Sequence, residues 1–336
     1  MAGKPQILML SLGGTIAMLP DAEAGGVVPS LRAEDLVAAV PGLAEVASVR
    51  TESFRQVPGA HLTLEDVVAL AEKIRRELAG GELGGVVITQ GTDTLEEVAF
   101  ALDLLVPEQP PVVVTGAMRA AHLAGADGPA NLLDAVSVAV SPRLRGLGTV
   151  VVLGGEIHAA RLVVKGHTQS PAAFVSPLAG PLGWIAEGRP RLALAPLARP
   201  ALDFPLVRRP GRVALLTASL GDDGGLVRAA AAGYEGMVIE ALGAGHLPAA
   251  ALDALDEAVA AMPVVLASRT QAGEILRATY GFPGSETDLL GRGLLSSEWL
   301  GARKARILLS LLLAAPGAAE AVAERLARYL AEAAPA

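Results

Sequence analysis

This sequence predicts two doubly wound α/β domains, a larger N-terminal one and a smaller C-terminal one. Three observations point there. Short runs rich in Val and Ile recur along the 336 residues, most of them continuous rather than alternating. Continuous apolar runs mark strands buried on both faces of a parallel sheet. Segments with helical spacing of apolar residues lie between them, so strand and helix alternate. The alternation stops in one proline-dense stretch and then restarts.

The strand-like runs are Ile7–Leu12, Val86–Thr89, Val112–Thr115, Thr149–Leu153, Arg212–Thr217, Met237–Glu240 and Val264–Ala267. The helical segments are Thr63–Leu78, Leu95–Leu105, Pro129–Val140, Leu226–Ala232 and Ala249–Ala261. A last helix is expected over Ala318–Ala331, with Arg325 and Arg328 toward solvent. The break carries prolines at 177, 181, 190, 196, 200, 205 and 210. That density suits neither a helix interior nor a central strand. The expected division is a catalytic domain over 1–190, a Pro-rich linker over 191–210 and a second α/β domain over 211–336.

Composition narrows the function. Hydrophobic residues at 52% and charged residues at 18% exclude a disordered chain. The absence of cysteine excludes disulfide scaffolds, Cys-ligated metals and cysteine nucleophiles. A net charge of -8 gives no global attraction for phosphate backbones, so no nucleic-acid partner is expected. The apolar run Ile307–Ala315 is far short of the roughly 20 residues that span a bilayer. The first residues lack the apolar stretch and cleavage site of a secretory signal. A cytoplasmic protein without membrane contact is expected.

Motifs narrow it further. No lysine precedes Ser or Thr, so a Walker-type phosphate loop is absent, and no G-x-G-x-x-G joins a strand to a helix. There is no G-x-S-x-G elbow. The five histidines, at 61, 122, 158, 167 and 246, never form H-E-x-x-H. No metal and no cofactor are expected, and hydroxyl chemistry remains. Ligands of open parallel sheets bind beyond the carboxyl ends of strands. There stand Gly13-Gly14-Thr15, Gln90-Gly91-Thr92-Asp93-Thr94-Leu95-Glu96-Glu97 and Gly116-Ala117-Met118-Arg119. Each has an ordinary structural reading: a tight turn for Gly13-Gly14, a capping box for Thr94 and Glu97, a helix start for Asp93. Two glycine-flanked threonines at one sheet edge point instead to a site. A threonine hydroxyl needs a base. A histidine is one option, and a lysine kept neutral by burial is another. Of the four lysines, Lys165 lies where an apolar run meets a loop.

These motifs resemble those of the bacterial-type L-asparaginase/glutaminase family. The match extends to Ala126-Asp127-Gly128-Pro129-Ala130-Asn131-Leu132 and Lys304-Ala305-Arg306-Ile307-Leu308-Leu309, in family order across almost the whole chain. The resemblance implies a flavodoxin- or Rossmann-like winding of the larger domain and a homotetramer built from intimate dimers. It implies Thr15 as nucleophile on a side-chain amide carbon, with Thr92, Asp93 and Lys165 as the group that activates nucleophile or water. Asp93 would also bind the substrate's α-ammonium, and an acyl-enzyme would form and release ammonia, with no cofactor. Backbone N–H groups of the glycine turns suit an oxyanion, with Gly91 letting the main chain approach the substrate. The segment 20–26 suits a lid.

The sequence departs from the family where substrate is read. No tyrosine lies between Met1 and Ala60, although the family often carries one in the lid. Gly59 and Ala60 stand where a serine and a polar residue would meet the substrate's carboxylate. Each lost hydrogen bond is worth about 0.5–1.5 kcal/mol, so Gly59→Ser is expected to lower KM for asparagine. His246 stands for an asparagine, and Glu286 for an acidic residue that reaches a neighbouring chain's site. On that alignment an isolated chain is inactive. The first expectation is an L-asparaginase with an atypical pocket. The alternatives are a related amidohydrolase of glutamine, D-asparagine or a carboxyl-blocked amide, and a binding relative that does not turn its ligand over. Retention of Lys165 argues against the last, since binding alone has no need of it.

Overall fold

The computed structural model describes residues 3–21, 25–107, 110–194, 200–206 and 208–335. They form two compact units, Met1–Ala201 and Leu202–Ala336.

In the first unit the opening run forms strand β1, Gln6–Gly13, in which every residue after Gln6 is buried. A short hairpin follows, β2 (Met18–Asp21) against β3 (Gly26–Pro29), antiparallel. The strand β4, Ser48–Val57, runs parallel to β1. Then come β5 (Leu83–Thr89), β6 (Val112–Thr115) and β7 (Thr149–Leu153), each parallel to its neighbour. Every residue of β6 and β7 is buried, so both sheet faces are covered, as their unbroken apolar runs require. Three further strands extend the sheet in antiparallel fashion: β8 (Glu156–Ala159), β11 (Gly183–Ala186) and β12 (Arg189–Leu192). Between them β9 (Val164–Lys165) pairs with β10 (Phe174–Val175) as a separate two-stranded sheet. The eight-stranded order is β12-β11-β8-β7-β6-β5-β1-β4.

That order has a functional consequence. The chain leaves β1 for β4 on one side, then crosses to β5 on the other. The winding reverses between β1 and β5, and ligands of doubly wound sheets bind at that switch point beyond the carboxyl ends. Thr15 follows β1 and Thr92 follows β5.

The helices of this unit are α1 (Ala33–Ala38), α2 (Leu43–Val46), α3 (Leu64–Leu78), α4 (Leu95–Leu105) and α5 (Gly128–Ala139). α3 starts as its sequence asks: Thr63 accepts from the Asp66 N–H and the Asp66 carboxylate accepts in return from the Thr63 N–H. α4 starts differently. No capping box forms at Thr94, whose hydroxyl donates to the Gly59 carbonyl at 2.9 Å instead.

The proline-dense stretch holds two strands. Pro190 sits in β12, the outermost strand, where one side of the backbone has no ladder partner and a missing N–H costs little. β12 straddles the expected boundary at 190, so sheet structure continues into the segment read as linker. Within the expected linker, residues 195–199 and 207 lie outside the described residues.

The second unit holds a four-stranded parallel sheet, β13 (Val213–Thr217), β14 (Gly236–Ala241), β15 (Val264–Ser268) and β16 (Leu295–Ser296). Its helices are α6 (Gly225–Ala231), α7 (Leu252–Ala261), α8 (Glu286–Gly291), α9 (Ala302–Leu313) and α10 (Ala318–Ala333). α9 contains the apolar run that begins at Ile307 and packs on β13, β14 and β15, which explains its hydropathy as core. Arg328 is exposed, as expected. Arg325 is not: it is half-buried, stacked on the Phe204 ring at 4.6 Å, with its guanidinium bonded to the Pro316 carbonyl. No helix among the described residues is long and apolar enough to cross a membrane.

Candidate active site

Three glycines bring the site together. Gly14 ends the β1 turn at φ +83°, ψ -177°, a conformation that side chains disfavour. A Cβ on Gly14 would stand 2.0 Å from the Gly91 nitrogen. A Cβ on Gly91 would stand 2.8 Å from the Gly59 nitrogen, and one on Gly59 would stand 3.1 Å from the Gly91 carbonyl oxygen. The turns after β1, β4 and β5 therefore meet main chain to main chain. Thr15 and Thr92 are the next residues along two of these turns, so the contact of Gly14 with Gly91 holds the two threonine turns side by side. Thr15 opens a one-turn 3-10 helix, Thr15–Ala17, closed by the Ala17 N–H on the Gly14 carbonyl at 2.9 Å.

Thr92 has a lysine behind it. Lys165 Nζ donates to Thr92 Oγ1 at 2.9 Å and to Asp93 Oδ1 at 2.6 Å. The Lys165 side chain is 17% exposed and that of Asp93 is 70% exposed, so the ion pair runs from interior to surface. Asp93, Lys165, Gly166, His167 and Thr168 line an open pocket of about 350 Å³. His167 Nδ1 accepts from the Gln169 and Ser170 N–H groups, both at 3.0 Å, which fixes its remaining ring nitrogen as the protonated one in the neutral ring.

Two further residues support the turn and were missed by sequence reasoning as contributors. Glu96 accepts a hydrogen bond from the backbone N–H of Lys165. Gln90, fully buried, donates from Nε2 to the Gly91 carbonyl at 3.2 Å. Both lie inside the Gln90–Glu97 motif, but only tertiary structure shows what they touch. The expected lid is a hairpin at its ends, β2 and β3, while residues 22–24 lie outside the described residues.

His246 and Glu286 lie in the second unit and meet each other, with Nε2 and Oε2 at 3.3 Å. Glu286 has no exposed side-chain surface, and its Oε1 accepts from the Thr279 and Tyr280 N–H groups, both at 2.8 Å. Burial alone would raise its pKa, but those backbone donors and His246 together hold it below the ordinary 4.5. His246 is the outward member of the pair, packed edge-on against Tyr280 and Phe282. Two backbone donors commit the Glu286 carboxylate to its own unit.

His158 is a core residue in the first unit. It is fully buried on β8, with Nδ1 3.0 Å from Ser176 Oγ. Its Nε2 lies 3.2 Å from a Glu156 oxygen but too far off axis to form a hydrogen bond. Burial drives its pKa down to about 4. Among the described residues, no group of three or more His, Asp or Glu stands close enough to hold a metal ion.

A hydroxyl hydrogen-bonded to a lysine amine at the switch point of a doubly wound sheet has the partner that proton transfer from a hydroxyl requires. Comparison with known proteins identifies the family. The asparaginase N-terminal profile matches residues 6–197, and the glutaminase/asparaginase C-terminal profile matches 212–326. A probable L-asparaginase of Deinococcus radiodurans is 40% identical over 314 residues, 93% of this chain and 94% of that one. L-asparaginase 2 of Escherichia coli is 34% identical over 323 residues, 92% of this chain and 89% of that one. The crystal structure of a probable cytoplasmic L-asparaginase from Campylobacter jejuni superposes with a TM-score of 0.87 at 31% identity, covering 98% of this chain and all of that one. The chain belongs to the asparaginase family, whose named relatives are hydrolases of amide C–N bonds.

Proposed function

We propose that the chain hydrolyses the side-chain amide of L-asparagine to L-aspartate and ammonia through an ester on Thr15. The observation that carries the reading is the Lys165 amine bonded to both Thr92 Oγ1 and Asp93 Oδ1. Thr15 Oγ attacks the amide carbon, the C–N bond breaks, and ammonia leaves with the proton that Thr15 gives up. Thr92, relayed to Lys165 and Asp93, then takes a proton from water. The water oxygen bonds to the acyl carbon, the ester bond between that carbon and Thr15 Oγ breaks, and the proton taken from water passes to Oγ, so Thr15 regains its hydroxyl. Backbone N–H groups of the glycine turns stabilise the oxyanion of each step, an arrangement that needs no reorganisation during reaction. The exposed Asp93 carboxylate receives the substrate's α-ammonium.

A second reading has a specific observation behind it. Gly59 lies against the Gly91 main chain and the next residue is Ala60, so neither of these two residues offers a side-chain hydroxyl to a carboxylate. That favours an amide whose α-carboxylate is blocked. Ammonia release over L-asparagine, L-glutamine, their D-forms and asparagine amidated at its carboxyl separates the two. L-asparagine with the highest kcat/KM supports the first reading, and the blocked amide ahead of it supports the second. No release from any of them overturns both.

A homotetramer belongs to the same proposal, with His246, the outward member of its pair, facing a neighbouring chain and Glu286 held behind it rather than reaching that chain itself. Sedimentation analysis checks the assembly. A cytoplasmic location follows the name of the Campylobacter relative, while a Haemophilus influenzae relative is named periplasmic, so cell fractionation decides.

A further inference from the structure

We propose that Glu96 is a positioning residue that fixes the reach of the Lys165 amine. The inference rests on the assignment of Lys165 to the catalytic group.

β9 pairs with β10 on one side only. Lys165 faces Phe174 across that ladder, and the next residue, Gly166, donates to the Ala173 carbonyl at 2.7 Å. The Lys165 N–H is not taken up by β10. It points to Glu96, 69 residues earlier, whose Oε2 accepts it. Among the described residues, this half-buried backbone donor has no strand on that side to accept from it, and one carboxylate takes the strand's place. Glu96 is itself only 2% exposed and lies in the first turn of α4, where the free N–H groups of the helix favour negative charge.

The five residues 92–96 thus grip one lysine at both ends. Thr92 and Asp93 hold Nζ, and Glu96 holds the backbone nitrogen. A lysine amine is a point charge on a flexible four-carbon stem, without the planar fork that orients arginine. Fixing its Cα is the means left to fix its head. A displacement of about 1 Å at a reacting group costs on the order of a hundredfold in rate. Glu96 is not itself among the residues that line the pocket, and it acts through Lys165.

The test combines activity with a probe of the bond itself. Glu96→Ala is expected to lower kcat on asparagine by about 10–100-fold with KM within about threefold. Glu96→Gln keeps an acceptor oxygen and is expected to recover most of that loss. Glu96→Asp keeps the charge but withdraws the oxygen by one methylene, and is expected to resemble Glu96→Ala, which serves if the alanine variant does not fold. In a Lys165→Met background, Glu96→Ala should cost less than about twofold more. A similar loss in both backgrounds overturns the proposal, because Glu96 would then act independently of Lys165. If Lys165→Met turns over normally, the assignment of Lys165 fails on its own, and amide hydrogen exchange decides the anchor. Faster exchange at the Lys165 N–H in Glu96→Asp, with α4 amides unchanged, supports it, and unchanged exchange overturns it.

Discussion

Asp93 leaves most of its carboxylate in solvent, whereas Glu286 has none there. Both are acidic side chains beside a basic one, and their surroundings differ in kind. Asp93 meets a lysine whose amine also holds a hydroxyl, and an open pocket lies against them. Glu286 is closed in by two backbone N–H groups and a histidine. The first arrangement leaves lone pairs and protons free to move to a ligand. The second uses its acceptor capacity to hold the 279–286 segment in place. The closed carboxylate is placed to hold its own segment, whereas the Asp93–Lys165 pair, running from interior to surface, is placed to serve the proposed chemistry.

The largest expected effect comes from removing the amine. Lys165→Met should lower kcat by about 10²–10⁴-fold, the range for a lost general acid or base, with Tm nearly unchanged. Steady-state ammonia release alongside calorimetry checks both. A fall in Tm without a fall in kcat would erase the distinction between the two regions.

The converse should hold for Glu286. Glu286→Ala removes the charged acceptor of the Thr279 and Tyr280 N–H groups, each bond worth about 1.5–3 kcal/mol, so the second unit should lose up to about 3–6 kcal/mol by denaturant unfolding. Its lowered pKa gives the sign of the pH effect. The stabilisation from ionised Glu286 is complete above about pH 4.5, its unfolded value, and is lost as pH falls through the lower folded value. Wild-type stability in Glu286→Ala would show the closed arrangement to be idle.

His158 sharpens the contrast from within the first unit. Folded, it titrates at about 4 against 6.5 in the unfolded chain, so between those values the unfolded state binds the extra proton. Stability should fall as pH drops from 6.5 toward 4, by up to roughly 3 kcal/mol. His158→Asn should flatten that slope, as read from unfolding midpoints across this range.

The smallest effect is expected at Gly59. The crowding against Gly91 requires the main chain to give by a few tenths of an ångström before a side chain fits. The gain expected from a serine hydroxyl is then offset by displacement of the turn, and KM of Gly59→Ser should stay within about threefold of the parent. A tenfold drop in KM would restore the view that only a hydroxyl is missing.

Apolar patterning made much of this legible. α4 spans Leu95–Leu105 as read, and β6 and β7 match their Val-rich runs, because strands and helices buried on all sides have nothing to be but apolar. β4 was not legible: its ten residues, from Ser48 to Val57, are half-buried or exposed at the sheet edge and carry Arg50, Glu52 and Arg55. Charged edges deter edge-to-edge pairing and also hide a strand from hydropathy. The threonines, Asp93 and Lys165 were legible because glycines and strand ends marked their place. The Thr94 hydroxyl and Glu96 were not, since local spacing suggests a helix cap where the fold supplies partners 35 and 69 residues away.

The central claim is that Thr15 carries the acyl group while the lysine-backed Thr92 serves it. Acid quenching of the chain during turnover of saturating asparagine, followed by peptide mass mapping, tests it most directly. The expected result is one aspartyl ester on the peptide containing Thr15. An ester on Thr92 instead, or on a residue outside the two glycine turns, would contradict it.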